Sequence, residues 1–284
     1  MYFRGMKLIR FLLFPIAVIY DIVTRVRNFL FDVELLKSKP YDIPVIAVGN
    51  LSVGGTGKTP QIEYLIELLK NDYKIAVLSR GYKRKTKGFI ILNDYHTAKD
   101  VGDEPLQFFK KFPQITVAVD ADRVNGINKI LEIDKPDVVL LDDAYQHRKV
   151  KAGFYILLTK YSELFIDDFL LPTGNLRESS IGVKRTDCII VTKCPMNMSM
   201  ADKQKIKSKV NKISNQPVFF TSINYDENLY GSEKLSVNDL INKNSDLIAI
   251  LKKSNDTIEL TFPKSIKKVT FRKVGNPSLD KQIF

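Results

Sequence analysis

The stretch from Val45 to Pro60, VIAVGNLSVGGTGKTP, decides the fold of this 284-residue chain. Val45 to Val48 is an apolar run that predicts a buried strand, and apolar residues recur at helical spacing from Gln61 onward. A glycine-rich turn ending in Gly57-Lys58-Thr59 lies between them. Glycines allow consecutive backbone N–H groups to face one anion, and a helix N-terminus adds partial positive charge there. The order strand, glycine loop and helix therefore predicts a P-loop that binds nucleotide phosphates.

The residues of this turn have predicted tasks. Lys58 would contact the β- and γ-phosphates, and the Thr59 hydroxyl would ligate Mg²⁺. The rest of the phosphate cradle would be formed by Ser52, Val53, Gly54, Gly55, Thr56 and Gly57. Ser52 stands where the pattern G-x-x-x-x-G-K-[ST] has its first glycine, so a chance Gly-Lys-Thr in a strand-to-helix turn is the alternative.

Charge and cysteine content narrow the possible partners. Lysine and arginine number 44 and acidic residues 32, which gives a net charge of +12. This excess predicts an anionic partner, either nucleic acid, an acidic membrane surface or a phosphorylated substrate. No nucleic-acid recognition module is evident, so we expect no nucleic-acid partner. Cys188 and Cys194 lack zinc-site spacing and are too few for a disulfide framework, which predicts reduced thiols.

Residues 1–32 are rich in apolar and basic side chains. The uninterrupted apolar run from Phe11 to Tyr20 contains Pro15 and is too short to span a bilayer. Basic residues on both sides predict a helix lying in the membrane interface. A spanning anchor and a soluble core helix are the alternatives. We expect an N-terminal segment at 1–35, a P-loop core at 36–225 and a divergent or truncated C-terminal region at 226–284.

Polar residues follow several of the later apolar runs. Lys74 to Leu78 predicts a second strand, followed by Ser79-Arg80-Gly81-Tyr82 and a basic loop with Lys83 and Arg84. Open α/β sheets bind ligands at the C-terminal ends of their strands, which predicts an anion site here, with a solvated basic loop as the alternative. Strands alternating with helices predict an α/β fold of the P-loop NTPase type, with a mostly parallel sheet covered on both faces.

Two acidic pairs are further candidates. Asp142 and Asp143 end the apolar strand predicted from Pro136, which is the Walker B pattern for Mg²⁺ binding opposite Thr59. His147 follows closely and is either structural or part of that site. Asp103-Glu104-Pro105 begins an amphipathic segment, and from these residues alone ordinary helix capping is the better interpretation.

Several of these stretches occur together in one known family. They are Val48 to Pro60, Ser79-Arg80-Gly81-Tyr82, Gly102-Asp103-Glu104-Pro105, Asp142 to His147, and Leu171-Pro172-Thr173-Gly174-Asn175-Leu176-Arg177-Glu178. In this order they resemble the tetraacyldisaccharide 4′-kinases, the lipid A kinases of Gram-negative bacteria, over roughly residues 1–225. Members of the family tolerate a residue other than glycine at the position of Ser52.

The resemblance implies ATP-dependent phosphorylation of the 4′-hydroxyl of tetraacyldisaccharide 1-phosphate, with ATP and Mg²⁺ as cofactors. It implies a peripheral or monotopic enzyme on the cytoplasmic face of the inner membrane, attached through residues 1–32, with no obligate protein partner. It also implies that Asp103 acts at the attacking sugar hydroxyl as a base or orienting group, beside Lys58 and Asp142. Glu104 and Glu178 would belong to the polar and metal shell around Thr59. Substrate phosphate or transition-state charge would be held by Arg80, Lys83, Arg84, Arg123 and Arg177.

One departure from the family concerns the C-terminal region. The Gly-Ile-Ala-Asn-Pro, Asp-His-His and Thr-Glu-Lys-Asp stretches of the family do not occur, and the histidines are His96 and His147 alone. A catalytically impaired remnant that binds nucleotide is therefore one alternative to an active kinase. A membrane-peripheral ATPase switch is another, although such proteins carry a signature lysine where Val53 stands.

Overall fold

The computed structural model of the chain describes residue 10 and residues 12–223, together with the backbone of five short strands beyond them. The chain divides into two compact units, Met1–Ile223 and Asn224–Phe284. The first unit contains the P-loop and all the predicted site residues.

The first unit is built on an eight-stranded sheet with the order β3-β4-β2-β5-β1-β6-β7-β8. All neighbours pair in parallel except β3, which runs antiparallel to β4 at one edge. This confirms the predicted mostly parallel sheet. The strands are β1 Val45–Asn50, β2 Ile75–Ser79, β3 Ile90–Ile91, β4 Thr116–Val119, β5 Val138–Asp142, β6 Phe154–Lys160, β7 Cys188–Cys194 and β8 Val218–Ser222.

Helices connect these strands and cover both faces of the sheet. They are α1 Phe14–Asp32, α2 Lys58–Leu69, α3 Ala98–Val101, α4 Asp103–Lys111, α5 Arg123–Ile133 and α6 Met200–Asn211, with 3₁₀ turns at Phe165–Asp167 and Ser180–Arg185. The segment between β6 and β7 is otherwise irregular.

Side chains of each central strand alternate between two apolar cores. One core contains Val48 and Leu140 and is covered by α2 and α4 through residues such as Ile62 and Phe108. The opposite core contains Ala47, Leu78 and Leu141 and is covered by α5. Because both faces are buried, the strands are continuous apolar runs whose polar residues lie at their ends.

Helix α1 presents two different faces. Ala17 and Phe31 are buried, whereas Ile19, Val23 and Phe29 are each about 60% exposed. Among the residues that the structure describes, no helix combines the length and the apolarity needed to cross a bilayer. Association of this helix with a membrane surface stays a prediction.

The second unit is described only by short strands. β9 Asn228–Leu229 pairs antiparallel with β10 Leu235–Ser236, and β11 Ile250–Lys253, β12 Thr257–Thr261 and β13 Val269–Arg272 form an antiparallel sheet. The predicted divergent or truncated region, 226–284, otherwise lies outside the described residues.

Candidate active site

The P-loop has the backbone expected of a phosphate cradle. Gly54 and Gly57 have φ values of +106° and +90°, a conformation that disfavours side chains, and α2 begins immediately afterwards at Lys58. The hydroxyl of Thr192, on β7, donates to the carbonyl oxygen of Thr56 at 2.7 Å. The loop is therefore held in place from β7, two strands away from β1, at the C-terminal edge of the sheet.

Asn50, the last residue of β1, braces the P-loop from beneath. Its side-chain amide donates to the carbonyl oxygen of Ser52 at 2.6 Å, and its Oδ1 accepts from Nζ of Lys58 at 3.4 Å. The residue is fully buried. We did not predict a role for Asn50 from the sequence, because no motif distinguishes an asparagine that precedes a glycine-rich turn.

Asp142 ends β5 next to the P-loop. Its Oδ2 accepts from the Ser79 hydroxyl at 3.0 Å, whereas its buried Oδ1 finds no hydrogen-bond partner among the described residues. Burial, followed by the nearby carboxylates of Glu104 and Asp143, raises the pKa of Asp142 to about 7. A buried carboxylate with an unused oxygen beside other carboxylates is suited to a cation.

The residues around Asp142 fit Mg²⁺. The Thr59 hydroxyl lies 3.2 Å from Oε1 of Glu104, so α2 and α4 bring two further oxygen groups together. Within the described part of the chain, no three His, Cys, Asp or Glu residues could hold a metal by themselves. Mg²⁺ commonly binds through one or two carboxylates together with substrate phosphates and waters, so this small set of oxygens is sufficient.

Asp103 and Glu104 form the first turn of α4, as the capping interpretation predicted. Glu104 points to Thr59, and Asp103 is exposed beside it. One of these adjacent acidic residues therefore contacts the P-loop threonine, and the other is exposed to solvent.

Asp143 joins two cations of the site. Its carboxylate lies 3.5 Å from Nζ of Lys58 and 3.2 Å from Nη1 of Arg177. The Arg177 backbone N–H donates to the carbonyl oxygen of Leu51 at 2.7 Å, so the loop carrying this arginine is fastened to the P-loop. Two of the predicted charge-stabilising residues, Lys58 and Arg177, are therefore brought together.

Glu178 is placed differently from its prediction as a metal ligand. Its Oε2 accepts from Arg185 at 2.7 Å and from Asn28 at 2.9 Å, and its Oε1 accepts from Gln146 at 3.1 Å. The side chain is buried and neutralised by the guanidinium of Arg185. Both oxygens are occupied by protein donors, which argues against a metal contact.

Arg123 is also placed differently from its prediction. It is 2% exposed, and its guanidinium donates to the carbonyl oxygens of Asp120 and Asp142. Its first-turn position in α5 directs it beneath the strand ends rather than into solvent. A contact with substrate phosphate is therefore not supported, because the donors are directed at the backbone of the site.

The remaining basic candidates follow β2. Arg80 is exposed directly after Ser79, and Lys83 is exposed with its Nζ over the ring of Tyr82. Arg84 is partly buried and donates to the carbonyl oxygen of Gly88 at 2.5 Å. Arg80 and Lys83 are thus open to an anionic ligand, whereas one edge of Arg84 is used to hold its own loop.

His147 does not contact the predicted metal residues through any described hydrogen bond. Its backbone N–H donates to the carbonyl oxygen of Ala144 at 2.9 Å, and its buried Nε2 has no partner among the described residues. Burial, then the charge of Arg123, lowers its pKa to about 4. The imidazole is therefore neutral at physiological pH, which fits a structural residue.

Comparison with known proteins gives one consistent result. Residues 9–247 match the family model described as tetraacyldisaccharide-1-P 4′-kinase. A tetraacyldisaccharide 4′-kinase of Flavobacterium johnsoniae is 54% identical over 270 residues, which are 91% of this chain and 79% of that protein. One from Flavobacterium psychrophilum is 60% identical over 239 residues, 83% of this chain and 70% of that protein. A crystal structure of LpxK from Aquifex aeolicus in complex with ATP is similar with a TM-score of 0.61 and 31% identity, covering 82% of this chain and 90% of that one.

Proposed function

Since the chain belongs to the tetraacyldisaccharide 4′-kinase family, we propose that it transfers the γ-phosphoryl group of ATP to the 4′-hydroxyl of tetraacyldisaccharide 1-phosphate. The observation that carries this proposal is the cluster around the P-loop. Nζ of Lys58 lies 3.5 Å from Asp143, the Thr59 hydroxyl donates to Glu104 at 3.2 Å, and neighbouring Asp142 has a buried oxygen without a partner among the described residues. Asp103 is exposed beside Glu104. That arrangement provides a phosphate cradle, a set of metal-binding oxygens and a group for the acceptor.

The donor is held by the residues of the loop from Ser52 to Thr59. Lys58 offsets negative charge on the phosphoryl group as it transfers, and Arg177, which pairs with the same oxygen of Asp143, does the same. Phosphoryl transfer depends mainly on positioning and charge stabilisation. The braced, partly buried position of Lys58 supports that role.

Thr59, Asp142 and Glu104 would hold Mg²⁺, which when bound neutralises charge on the phosphate oxygens. Asp103 orients the 4′-hydroxyl and accepts its proton as the oxygen attacks. The new bond joins that oxygen to the γ-phosphorus, and the bond from the γ-phosphorus to the bridging oxygen breaks. ADP leaves with the bond electrons. Arg80 and Lys83, both exposed at the end of β2, would bind the 1-phosphate of the acceptor.

The outer face of α1 supports a further part of the proposal, contact with the inner membrane surface. Ile19, Val23 and Phe29 are exposed on one side of a helix whose other side is docked on the protein. An acylated acceptor stays in the bilayer, so a helix lying at its surface brings the site to the substrate. We place the enzyme peripherally at the cytoplasmic face, where ATP is available, with 36–225 as the kinase core.

A transfer assay tests the kinase function. Purified protein is incubated with Mg·ATP and tetraacyldisaccharide 1-phosphate, and the 4′-phosphorylated product is measured by mass spectrometry. We expect product from the wild type and at least about a hundredfold less from Lys58→Met, which removes charge stabilisation from the donor site. ATP binding without any product would instead identify a catalytically impaired nucleotide-binding protein.

Vesicle flotation tests the membrane contact separately. Val23→Glu places a charge on the exposed face of α1, and we expect it to lower the fraction bound to anionic phospholipid vesicles severalfold. Leu68→Glu is the matched control, because Leu68 is similarly exposed, at 58%, on α2. Equal flotation of the two variants and the wild type would refute the assignment of this face.

A further inference from the structure

A chain of hydrogen bonds joins α1 to the strand that carries the P-loop. The amide of Asn28, in α1, donates to Oε2 of Glu178 at 2.9 Å. The amide of Gln146 donates to Oε1 of the same carboxylate at 3.1 Å and to the carbonyl oxygen of Asn50 at 2.8 Å. One buried carboxylate therefore connects a residue of the N-terminal helix with the residue that braces the loop.

The series of hydrogen bonds continues from Asn50 to Lys58, the proposed catalytic lysine. The Asn50 side chain donates to the carbonyl oxygen of Ser52 and accepts from Lys58. Because Asn50 is completely buried, no solvent competes for these hydrogen bonds. A shift of Gln146 would move the Asn50 backbone and, with it, both the loop and Lys58.

Glu178 is well suited to hold the middle of this chain. It is 3% exposed, and the guanidinium of Arg185 at 2.7 Å balances its charge. Buried carboxylates keep a fixed position only when all their hydrogen bonds are made, since an unmade one is costly. Asn28 makes one of these hydrogen bonds, so the carboxylate is fully satisfied only when α1 is docked.

We propose that Glu178 is a positioning residue for phosphoryl transfer, which acts through Gln146 and Asn50 on Lys58 and requires Asn28 of α1. The inference rests on the proposed kinase function and extends it. Helix α1 then has a second task besides contact with lipid, because it completes the support of the donor site. Glu178 acts on the geometry of the P-loop and does not ligate the metal.

The test uses steady-state kinetics of the full chain with substrate in detergent micelles, so that membrane attachment does not limit turnover. Asn28→Leu removes one positioning hydrogen bond and leaves the Glu178–Arg185 pair intact. We expect kcat to fall about three- to tenfold, with KM for ATP changed less than about twofold. Glu178→Gln should lower kcat further without changing the Mg²⁺ concentration that gives half-maximal activity. A rise of about tenfold or more in that concentration would overturn the proposal and restore a metal role.

A matched control and a double variant distinguish an effect on kcat through these hydrogen bonds from a general loss of stability. Asn128→Leu makes the same substitution in another helix and also removes one hydrogen bond, from Lys39, so kcat should remain that of the wild type. Asn28→Leu should cost little when added to Glu178→Gln, because both interrupt the same chain. Full additivity of the two effects, or a wild-type kcat for Asn28→Leu, would overturn the proposal.

Hydrogen exchange of the P-loop peptide gives a reading that does not need turnover. Exchange over residues 50–58 should be at least about threefold faster in Asn28→Leu than in the wild type, and unchanged in Asn128→Leu. Faster exchange in a chain that lacks kinase activity would retain the support role and reject the kinase function. Unchanged exchange in an active kinase would reject the support role alone.

Discussion

Asp142 should lower the stability of the protein whenever no cation is bound, so Asp142→Asn should be more stable than the wild type and much less active. The side chain is 1% exposed. Burial, then the carboxylates of Glu104 and Asp143, raises its pKa from 3.8 to about 7. Above that pH the folded chain must keep a charge in its interior that the unfolded chain exposes to water.

The size of the effect follows from the two pKa values of Asp142. One pKa unit corresponds to about 1.4 kcal/mol, so the shift from 3.8 to about 7 amounts to on the order of 4 kcal/mol at pH 8. An asparagine introduces a buried carboxamide that lacks an ideal partner, which costs about 1–3 kcal/mol. The expected net gain is therefore about 1–3 kcal/mol at pH 8.

The pH dependence has a definite sign. The pKa of the folded state lies above that of the unfolded state, so the folded chain binds more protons between pH 3.8 and about 7. The penalty is absent below this range, grows through it and is complete above it. The advantage of Asp142→Asn should therefore be largest at pH 8 and should disappear near pH 5.

The assay is urea and thermal unfolding of both proteins in EDTA at pH 8 and pH 5, followed by the kinase assay. At pH 8 in EDTA the variant should unfold at a temperature about 2–8 °C higher. In parallel samples without EDTA, Mg·ATP should stabilise the wild type more than the variant. Asp143→Asn is the control: it relieves a smaller part of the Asp142 penalty but loses the ion pairs with Lys58 and Arg177, so it should give no net gain. A gain of equal size at both pH values, or a loss at pH 8, would refute the argument from buried charge.

Three further substitutions test packing, protonation and charge at the site. Gly49→Ala would place a methyl group 2.6 Å from Cβ of Tyr145 and should lower the free energy of unfolding by about 1–3 kcal/mol; Gly153→Ala, whose methyl group would meet nothing closer than 3.8 Å, should change it by less than about 0.5 kcal/mol in the same urea titration. Burial lowers the pKa of His147 from 6.5 to about 4, so stability that is present above pH 6.5 is lost as the pH falls toward 4. After allowance for partial exposure, the wild type loses about 1 kcal/mol of unfolding free energy through this residue. Between pH 7 and pH 4.5, His147→Gln should therefore lose about 1 kcal/mol less than the wild type. An equal loss in both proteins would contradict the lowered pKa of His147. Arg177→Lys replaces a guanidinium whose Nη1 lies 3.2 Å from both oxygens of its acidic partner, and we expect a kcat about tenfold lower at saturating substrate, whereas an unchanged kcat would remove this residue from the site.

The parts of the site that the sequence predicted are residues that are close together along the chain or that lie at the carboxyl ends of parallel strands. Lys58 and Thr59 follow the glycines of the P-loop directly. Ser79 and Asp142 both end parallel strands, and the carboxyl ends of such strands meet at one edge of the sheet. The hydrogen bond between these two residues, 63 positions apart, is what that rule predicts.

The parts that could not be predicted depend on which charges find partners in three dimensions. The family resemblance predicted Glu178 as a metal ligand, but the 3₁₀ turn that follows brings Arg185 to its carboxylate. The family resemblance predicted that Arg123 holds substrate phosphate or transition-state charge, but its buried guanidinium donates to the carbonyl oxygen of Asp142. The Glu178–Arg185 contact depends on the irregular loop between β6 and β7, and the Arg123 contacts depend on how the ends of β4 and β5 meet α5; no periodicity of the sequence specifies either.

The two faces of α1 bear on the position of the donor site relative to the membrane surface. Tyr20 donates to the carbonyl oxygen of Arg177 at 2.7 Å, and Arg10 donates to the carbonyl oxygen of Gly174 at 2.6 Å, so the polar side of the helix region holds the loop beside the P-loop. The apolar side is exposed and suited to lipid. Under the proposed membrane contact, a helix that also supports the loop carrying Arg177 would fix the donor site relative to the surface in which an acylated acceptor lies. Loss of this docking should therefore lower kcat even where the lipid is supplied in micelles, whereas loss of the apolar face alone should not.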